Sequence, residues 1–322
     1  MPPARINAGH RAWERGLGLA LLALGLAAAA RAQAAPPFKF HARVREVLVQ
    51  VTVLGKKNRP VNNLTENDFQ VLENGVPQKL DYFEHSDAPV SVGLLIDNSG
   101  SMSNKRAAVE AAALAFIHDS NPQDEIFVVN FNEIPYLDAP FTNQISVLQH
   151  ALDRIESSGG TALYDATVAS LDELSLHGKN QKRALLIVTD GEDDDSEYTL
   201  EQTIRAAEKE KNAPMIYCIG ILAHDNTGGA RKRAMRALKA LSKATGGLAY
   251  FPKHLNQVAY YTRLIASEMR QQYTMTYVSN QHTPGYRSIK VLVHPSKKQK
   301  LRVIARSGYY PHAAGADVAS SR

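Results

Sequence analysis

Residues 90–102 read VSVGLLIDNSGSM. An uncharged, mostly apolar run from Val90 to Ile96 stops at Asp97, and a polar loop containing Gly100 follows. A short apolar run closed by turn residues is the pattern of a buried strand. The pattern returns at Ala184–Thr189, which stops at Asp190, and again at Ile126–Phe131 and Met215–Leu222. Helical spacing fills the gaps. Ala107–Ile117 places Val109, Ala112, Ala113 and Phe116 on one face, and Ile145–Ile155, Leu163–Leu174, Leu200–Lys211, Ala230–Ala244 and Val258–Met269 behave alike, with a short strand at Leu248–Phe251. Strand and helix alternating in this way predict a mostly parallel sheet with helices on both faces. The expectation is a doubly wound, Rossmann-like α/β domain over residues 89–271.

The flanks read differently. Val47, Val49, Val51 and Val53 alternate with less apolar neighbours, and Phe69–Glu73 and Val76–Phe83 surround Asn74-Gly75, a hairpin signal. Beyond residue 271, Tyr273, Met275 and Tyr277 alternate, as do Ile289, Val291 and Val293, then Leu301, Val303 and Ala305. Segments of about fifty and forty residues are each marginal as an isolated core. Together they have the size of one β-sandwich, built from residues 38–88 and 272–311, with the α/β domain inserted between them and a tail over 312–322.

The chain has 322 residues, enough for two domains, and its 44% hydrophobic and 21% charged content is that of a globular protein. A single cysteine, Cys218, excludes an intrachain disulfide framework and a cysteine-based zinc site. The net charge is +5, but Arg5, Arg11, Arg15 and Arg31 against Glu14 belong to the first 32 residues. Without them the balance is 33 − 31 = +2, so charge gives no support to nucleic-acid binding. Those first 32 residues read as a signal peptide. Leu17–Ala30 is an uncharged run of the length of a signal h-region and short for a membrane span, and Ala30-Arg31-Ala32 and Ala32-Gln33-Ala34 both fit the small-x-small cleavage pattern. The expected location is secreted or periplasmic, with membrane attachment only if the segment stays uncleaved.

In an open α/β sheet, ligands bind outside the carboxyl ends of the strands. Three segments fall at that rim: Asp97-Asn98-Ser99-Gly100-Ser101-Met102, Ser158-Gly159-Gly160-Thr161, and Asp190-Gly191-Glu192-Asp193-Asp194-Asp195. They gather oxygen donors: the carboxylates of Asp97 and Asp190 and the hydroxyls of Ser99, Ser101 and Thr161. Such a donor set suits Mg²⁺ or Mn²⁺ rather than zinc or copper. Alternate residues of an extended loop point the same way, so Asp97, Ser99 and Ser101 can face one ion.

The motifs D-N-S-G-S-M, G-G-T-A-L and T-D-G-E-D, in this order over residues 89–271, resemble the von Willebrand factor A domain with its metal-ion-dependent adhesion site. The flanks, with D-F-Q-V-L-E-N-G-V-P-Q and A-R-S-G-Y-Y, are similar to bacterial secreted proteins of the von-Willebrand-factor-A-related class. The resemblance implies roles. Ser99 and Ser101 bind the cation through their hydroxyls, Thr161 binds it directly when a ligand is engaged and through water otherwise, and Asp97 and Asp190 hold coordinated waters or swing in. The last coordination position goes to an Asp or Glu of a partner protein. It also implies that the last helix, Val258–Met269, moves in any affinity switch. The resemblance gives Asp193, Asp194 and Asp195 no role in the site, and they read as a solvated acidic loop.

Other functions find less in the sequence. An aspartate-based phosphatase requires a second carboxylate two residues after Asp97, where Ser99 stands. No G-x-S-x-G occurs and no histidine is placed by a motif, which leaves a serine hydrolase without its parts. Cys218 lies in an apolar strand and reads as core. Arg231, Lys232, Arg233, Arg236, Lys239 and Lys243 read as the solvated face of one helix. The expectation is a non-enzymatic, exported adhesion or protein-interaction module, for which Asp97→Ala removes binding and spares the fold. The alternatives are a metal-independent structural subunit of an envelope complex and, behind it, a Mg²⁺-dependent hydrolase.

Overall fold

The computed structural model describes residues 46–153, 157–212, 214–222, 229–281, 284–295 and 299–311. The signal-peptide reading and the tail over 312–322 lie outside the described residues. In chain order the strands are β1 (Glu46–Leu54), β2 (Phe69–Glu73), β3 (Val76–Gln78), β4 (Tyr82–His85), β5 (Val90–Asp97), β6 (Glu125–Phe131), β7 (Pro135–Thr142), β8 (Lys182–Thr189), β9 (Met215–Gly220), β10 (Ala249–Tyr250), β11 (Tyr273–Val278), β12 (Arg287–Val293), β13 (Arg302–Ala305) and β14 (Gly308–Tyr309). The helices are α1 (Arg106–Asp119), α2 (Ile145–Asp153), α3 (Leu163–His177), α4 (Leu200–Lys209), α5 (Gly229–Thr245) and α6 (Val258–Arg270).

The middle of the chain forms one six-stranded sheet in the order β10-β9-β8-β5-β6-β7, parallel except for β7. β5 and β8 lie side by side at its centre, and every residue of both is buried. Successive side chains of a strand face opposite sides. Accordingly Val92, Leu94 and Ile96 of β5 join Val109 and Phe116 of α1, Leu148 of α2 and Ile265 of α6 in one core. Leu95 turns the other way, to Leu163 of α3, Ala207 of α4 and Leu238 of α5. Cys218 belongs to this second core, where burial pushes its thiol up to about 12. The α/β expectation therefore holds, with one element added. β7 is an antiparallel edge strand, and its sequence PYLDAPFT buries only Ala139 fully.

The flanking segments form two four-stranded antiparallel sheets, β13-β1-β11-β4 and β14-β12-β2-β3. Each sheet mixes strands from before and after the α/β domain. Val47, Val49, Val51, Phe69 and Val71 from the first flank share a core with Tyr273, Met275, Tyr277, Ile289 and Val291 from the second. The turn between β2 and β3 is the one that Asn74-Gly75 signals: both residues take positive φ, 48° and 81°. Val76–Phe83 is not one strand, however. β3 pairs with β2 and β4 with β11, so the chain changes sheets between Gln78 and Tyr82. A buried Glu73 closes the sandwich chemically. It accepts hydrogen bonds from Tyr277 (2.7 Å), Ser279 (2.7 Å) and Tyr309 (3.1 Å), with the Arg287 guanidinium at 3.6 Å. A charge this deep is tolerated because it is fully partnered.

Sandwich and α/β domain also interlock. Leu54 at the end of β1 is part of the α1/α6-side core, and Ile304 of β13 packs on it. Gln272, between α6 and β11, donates to the hydroxyls of Tyr217 in β9 (2.9 Å) and Thr52 in β1 (3.3 Å). Residues 306–310 run across α4 and α5: Ser307 N donates to Ala244 O at 3.0 Å and Tyr310 N to Glu208 O at 3.0 Å. Among the described residues no helix is long and apolar enough to cross a membrane.

Glu268 of α6 lies in this junction with no exposed surface. Its Oε1 accepts from the Tyr250 hydroxyl at 2.6 Å, while Oε2 is buried with no hydrogen-bond partner. Burial raises its carboxyl from the ordinary 4.5 to about 7, against the pull of the Tyr250 hydrogen bond and of Arg302. The folded state therefore favours the protonated acid. Its contribution to stability is complete below pH 4.5 and is lost as the pH rises through about 7. Glu268→Gln, which keeps the acceptor for Tyr250 without ionising, should stabilise the chain at pH 8 by up to about 3 kcal/mol and change little at pH 4. Denaturant melts of both proteins at the two pH values check this.

Candidate functional site

The register of the central sheet builds the site. β5 and β8 are parallel and pair Ile96 with Val188, so the next residues of each strand reach the same rim. One strand delivers Asp97 and the other delivers Thr189 and Asp190, all buried. Thr189 Oγ1 donates to Asp97 Oδ2 at 2.5 Å, and Ser99 N donates to Asp97 Oδ1 at 2.8 Å. One oxygen of Asp97 thus holds the loop that follows it and the other ties it to β8. Burial pushes the Asp97 carboxyl above the usual carboxylate range; the hydrogen bonds from Ser99 and Thr189 pull it back, and the charge of Asp190 pushes it up again.

The hydroxyls line up beside this pair. Ser99 Oγ lies 3.1 Å from Ser101 Oγ, and Ser101 Oγ donates to Asp190 Oδ1 at 2.7 Å. Thr161 is buried next to Asp190-Gly191; a Cβ at Gly191 would stand 3.4 Å from Thr161 Oγ1. The five residues picked out in the sequence, Asp97, Ser99, Ser101, Thr161 and Asp190, therefore come together from three loops.

Backbone contacts fasten those loops. Gly100 N donates to Gly159 O at 3.0 Å, Ser158 N to Asn98 O at 2.9 Å, Asn98 N to Phe131 O at 2.7 Å and Ala162 N to Asn132 O at 2.6 Å. Gly159 has φ 73°, a left-handed conformation, and any Cβ there would come within 2.7 Å of Glu133 Oε1. A Cβ at Gly160 would displace the carboxylate of Asp195, whose Oδ2 it would meet at 1.8 Å. Asn98 adds a buried polar tie, donating through Nδ2 to Asn130 Oδ1 at 2.7 Å.

Two features went unread in the sequence. The acidic run after Asp190 is only partly a solvated loop. Asp194 Oδ1 accepts from Thr161 N at 2.7 Å, and Asp193 Oδ1 accepts from Tyr164 N (3.2 Å) and Ser196 Oγ (2.5 Å). These carboxylates cap the start of α3, whose free N–H groups attract negative charge, and so fix Thr161. The second feature is Lys105. Its ammonium donates to Ser101 O at 3.0 Å and pairs with Asp190 Oδ2. Next to the rim, Arg233 of α5 pairs with Glu192.

The donor chemistry fits a hard divalent cation: hydroxyl and carboxylate oxygens converge, with no sulfur or imidazole among them. Among the described residues no group of three or more His, Cys, Asp or Glu converges on a metal position, so a cation here would depend on Ser99, Ser101 and Thr161 as well as the two acids.

An α/β sheet with an oxygen-lined site at the carboxyl ends of its central strands defines the class of domain. Residues 92–192, which span all three site loops, match the von Willebrand factor type A domain. The structure is similar to BatB from Bacteroides thetaiotaomicron (TM-score 0.44, 17% identity, covering 56% of this chain and 98% of that one). It is similar also to a von Willebrand factor type A protein from Catenulispora acidiphila (TM-score 0.49, 14% identity, 76% and 75% covered). A third similar structure is the vWF domain of the type V pili tip protein Mfa5 from Porphyromonas gingivalis (TM-score 0.47, 13% identity, 56% and 95% covered). No curated protein matches the chain.

The two hydrogen bonds to Asp97 give Asp97→Ala a stability cost beside its expected effect on binding. That substitution strands the buried donors of Ser99 and Thr189, and should cost about 1–3 kcal/mol. Ser101→Ala removes one partly exposed hydroxyl and should cost less than about 1 kcal/mol. Chemical denaturation of both variants in chelator checks the difference and decides which is the cleaner probe of binding.

Proposed function

We propose that this chain is an exported protein-interaction module that engages an acidic side chain of a partner protein through Mg²⁺ or Mn²⁺ at the Asp97–Asp190 rim. The observation that carries the reading is the run of contacts from Asp97, through the Ser99 amide and the neighbouring Ser99 and Ser101 hydroxyls, to Asp190. Ser99, Ser101 and Thr161 would hold the ion, and Asp97 and Asp190 would orient its waters. A divalent cation held mainly by neutral hydroxyls keeps much of its positive charge and so attracts a carboxylate. The protein's own part is to keep the three loops in register: the Gly100–Gly159 and Ser158–Asn98 hydrogen bonds join the first two, and the Thr161–Asp194 hydrogen bonds join the third. Localisation outside the cytoplasm, in the periplasm or beyond the cell, follows from the leader-like first 32 residues.

Calorimetric titration of Mg²⁺ and of Mn²⁺ into the chain should give saturable binding, weakened at least tenfold in Ser101→Ala, since one direct ligand is gone. Native and variant chains giving the same heats, or no heat in the native chain, would sink the metal-dependent reading in favour of a metal-independent scaffold.

A further inference from the structure

Lys105 is placed where helix electrostatics disfavour it. It stands at the N-cap of α1, the first turn of α1 contains no acidic residue, and the amino end of a helix carries partial positive charge. An ammonium gains nothing there from the helix. What it gains is Asp190. The carboxylate's side chain is 1% exposed and the lysine's 14%, so the pair is shielded from water. The lysine's second bond, to Ser101 O at 3.0 Å, holds it against the loop that bears Ser99 and Ser101. Asp190 is consequently engaged on both oxygens by its own chain, Oδ1 by Ser101 and Oδ2 by Lys105. Without that ammonium, Asp97 and Asp190 would be two buried acids at one rim, their charges offset by neutral hydrogen bonds alone.

We propose that Lys105 is a tethered counter-cation: it neutralises Asp190 when the site holds no metal, and it sets the affinity for a divalent ion by opposing that ion's charge. The first half stands on the ion pair itself; the second rests on the metal-binding reading given above. A divalent cation on Ser99 and Ser101 arrives beside an ammonium already bonded to Ser101 O and Asp190. The lysine must withdraw, or the two positive charges must share the site at a Coulombic cost. In both cases the ion binds less tightly than the oxygen set alone would allow. A weakly held ion with its positive charge uncancelled suits a site whose last ligand comes from elsewhere.

The test uses Lys105→Met, which keeps an unbranched chain and removes the charge, and Lys105→Arg, which keeps the charge. Titrated with Mg²⁺, Lys105→Met should bind about tenfold tighter than the native chain or better, the effect expected of removing one nearby like charge, while Lys105→Arg stays near native. Equal or weaker Mg²⁺ binding by Lys105→Met overturns the affinity half. Thermal melts in chelator decide the first half without reference to metal. Lys105→Met should lower the Tm, and adding Asp190→Asn should recover part of that loss, because the acid no longer needs its partner. Strictly additive Tm changes overturn the counter-cation. If neither the native chain nor Lys105→Met binds Mg²⁺, the metal-dependent reading falls and the affinity half with it, and the melts still decide the ion pair.

Discussion

Parallel pairing of β5 with β8 forces two carboxylates into one place. Both strands are buried along their whole length, their register is fixed by alternate packing on two cores, and each continues into an aspartate at the same rim. Like charges close together in a weakly polarisable setting are unfavourable unless something answers them. Much of the local architecture is that answer: the Thr189 hydroxyl and Ser99 amide on Asp97, the Ser101 hydroxyl and Lys105 ammonium on Asp190. The loop conformation, the placement of the serines and the start of α1 follow from satisfying these acids. An oxygen-lined rim is the chemical residue of the same constraint.

The sandwich is tied to that rim by a continuous run of structure. α6 packs on α1, the helix that begins at the site, and is followed by Gln272, which bonds to β9 of the sheet and β1 of the sandwich. Glu268, one turn earlier, is buried in the same seam with one oxygen unpartnered. The seam is therefore polar and sensitive to protonation, unlike the mainly apolar cores on either side of the sheet. Any movement of α6 would have to break or carry these bonds.

Much of this could be read from the sequence, because the decisive signals are local. Apolar runs ending in Asp97 and Asp190 define the central strands, and Asn74-Gly75 defines its hairpin. The five oxygen donors come together, four from the end of β5 and the loops after β5 and β8, and Thr161 from the loop before α3. What escaped was set by distant partners or by edge position. β7 carries Pro135 and Pro140 and exposes Tyr136 and Leu137, so its sequence lacks the apolar alternation of a strand; its pairing with β6 alone makes it one. The change of sheet after Gln78 depends on β11, some two hundred residues away. Lys105 reads as an ordinary residue at a helix start, and its partner lies 85 residues further on. Asp193 and Asp194 look solvated because nothing nearby in sequence shows that the amino end of α3 lies against them.

The arrangement of the two sheets has a mechanical consequence. The α/β domain leaves and re-enters the sandwich through neighbouring strands, β4 and β11, which are paired with each other from Tyr82–Thr276 to His85–Tyr273. Tension pulled between residue 46 and residue 310 loads the pairing of β1 with β11 and β13 at one end and the bonds of Ser307 and Tyr310 to α5 and α4 at the other. None of these bonds involves the rim that bears Asp97, Ser101 and Asp190, so the points where load enters the chain are separate from the candidate site.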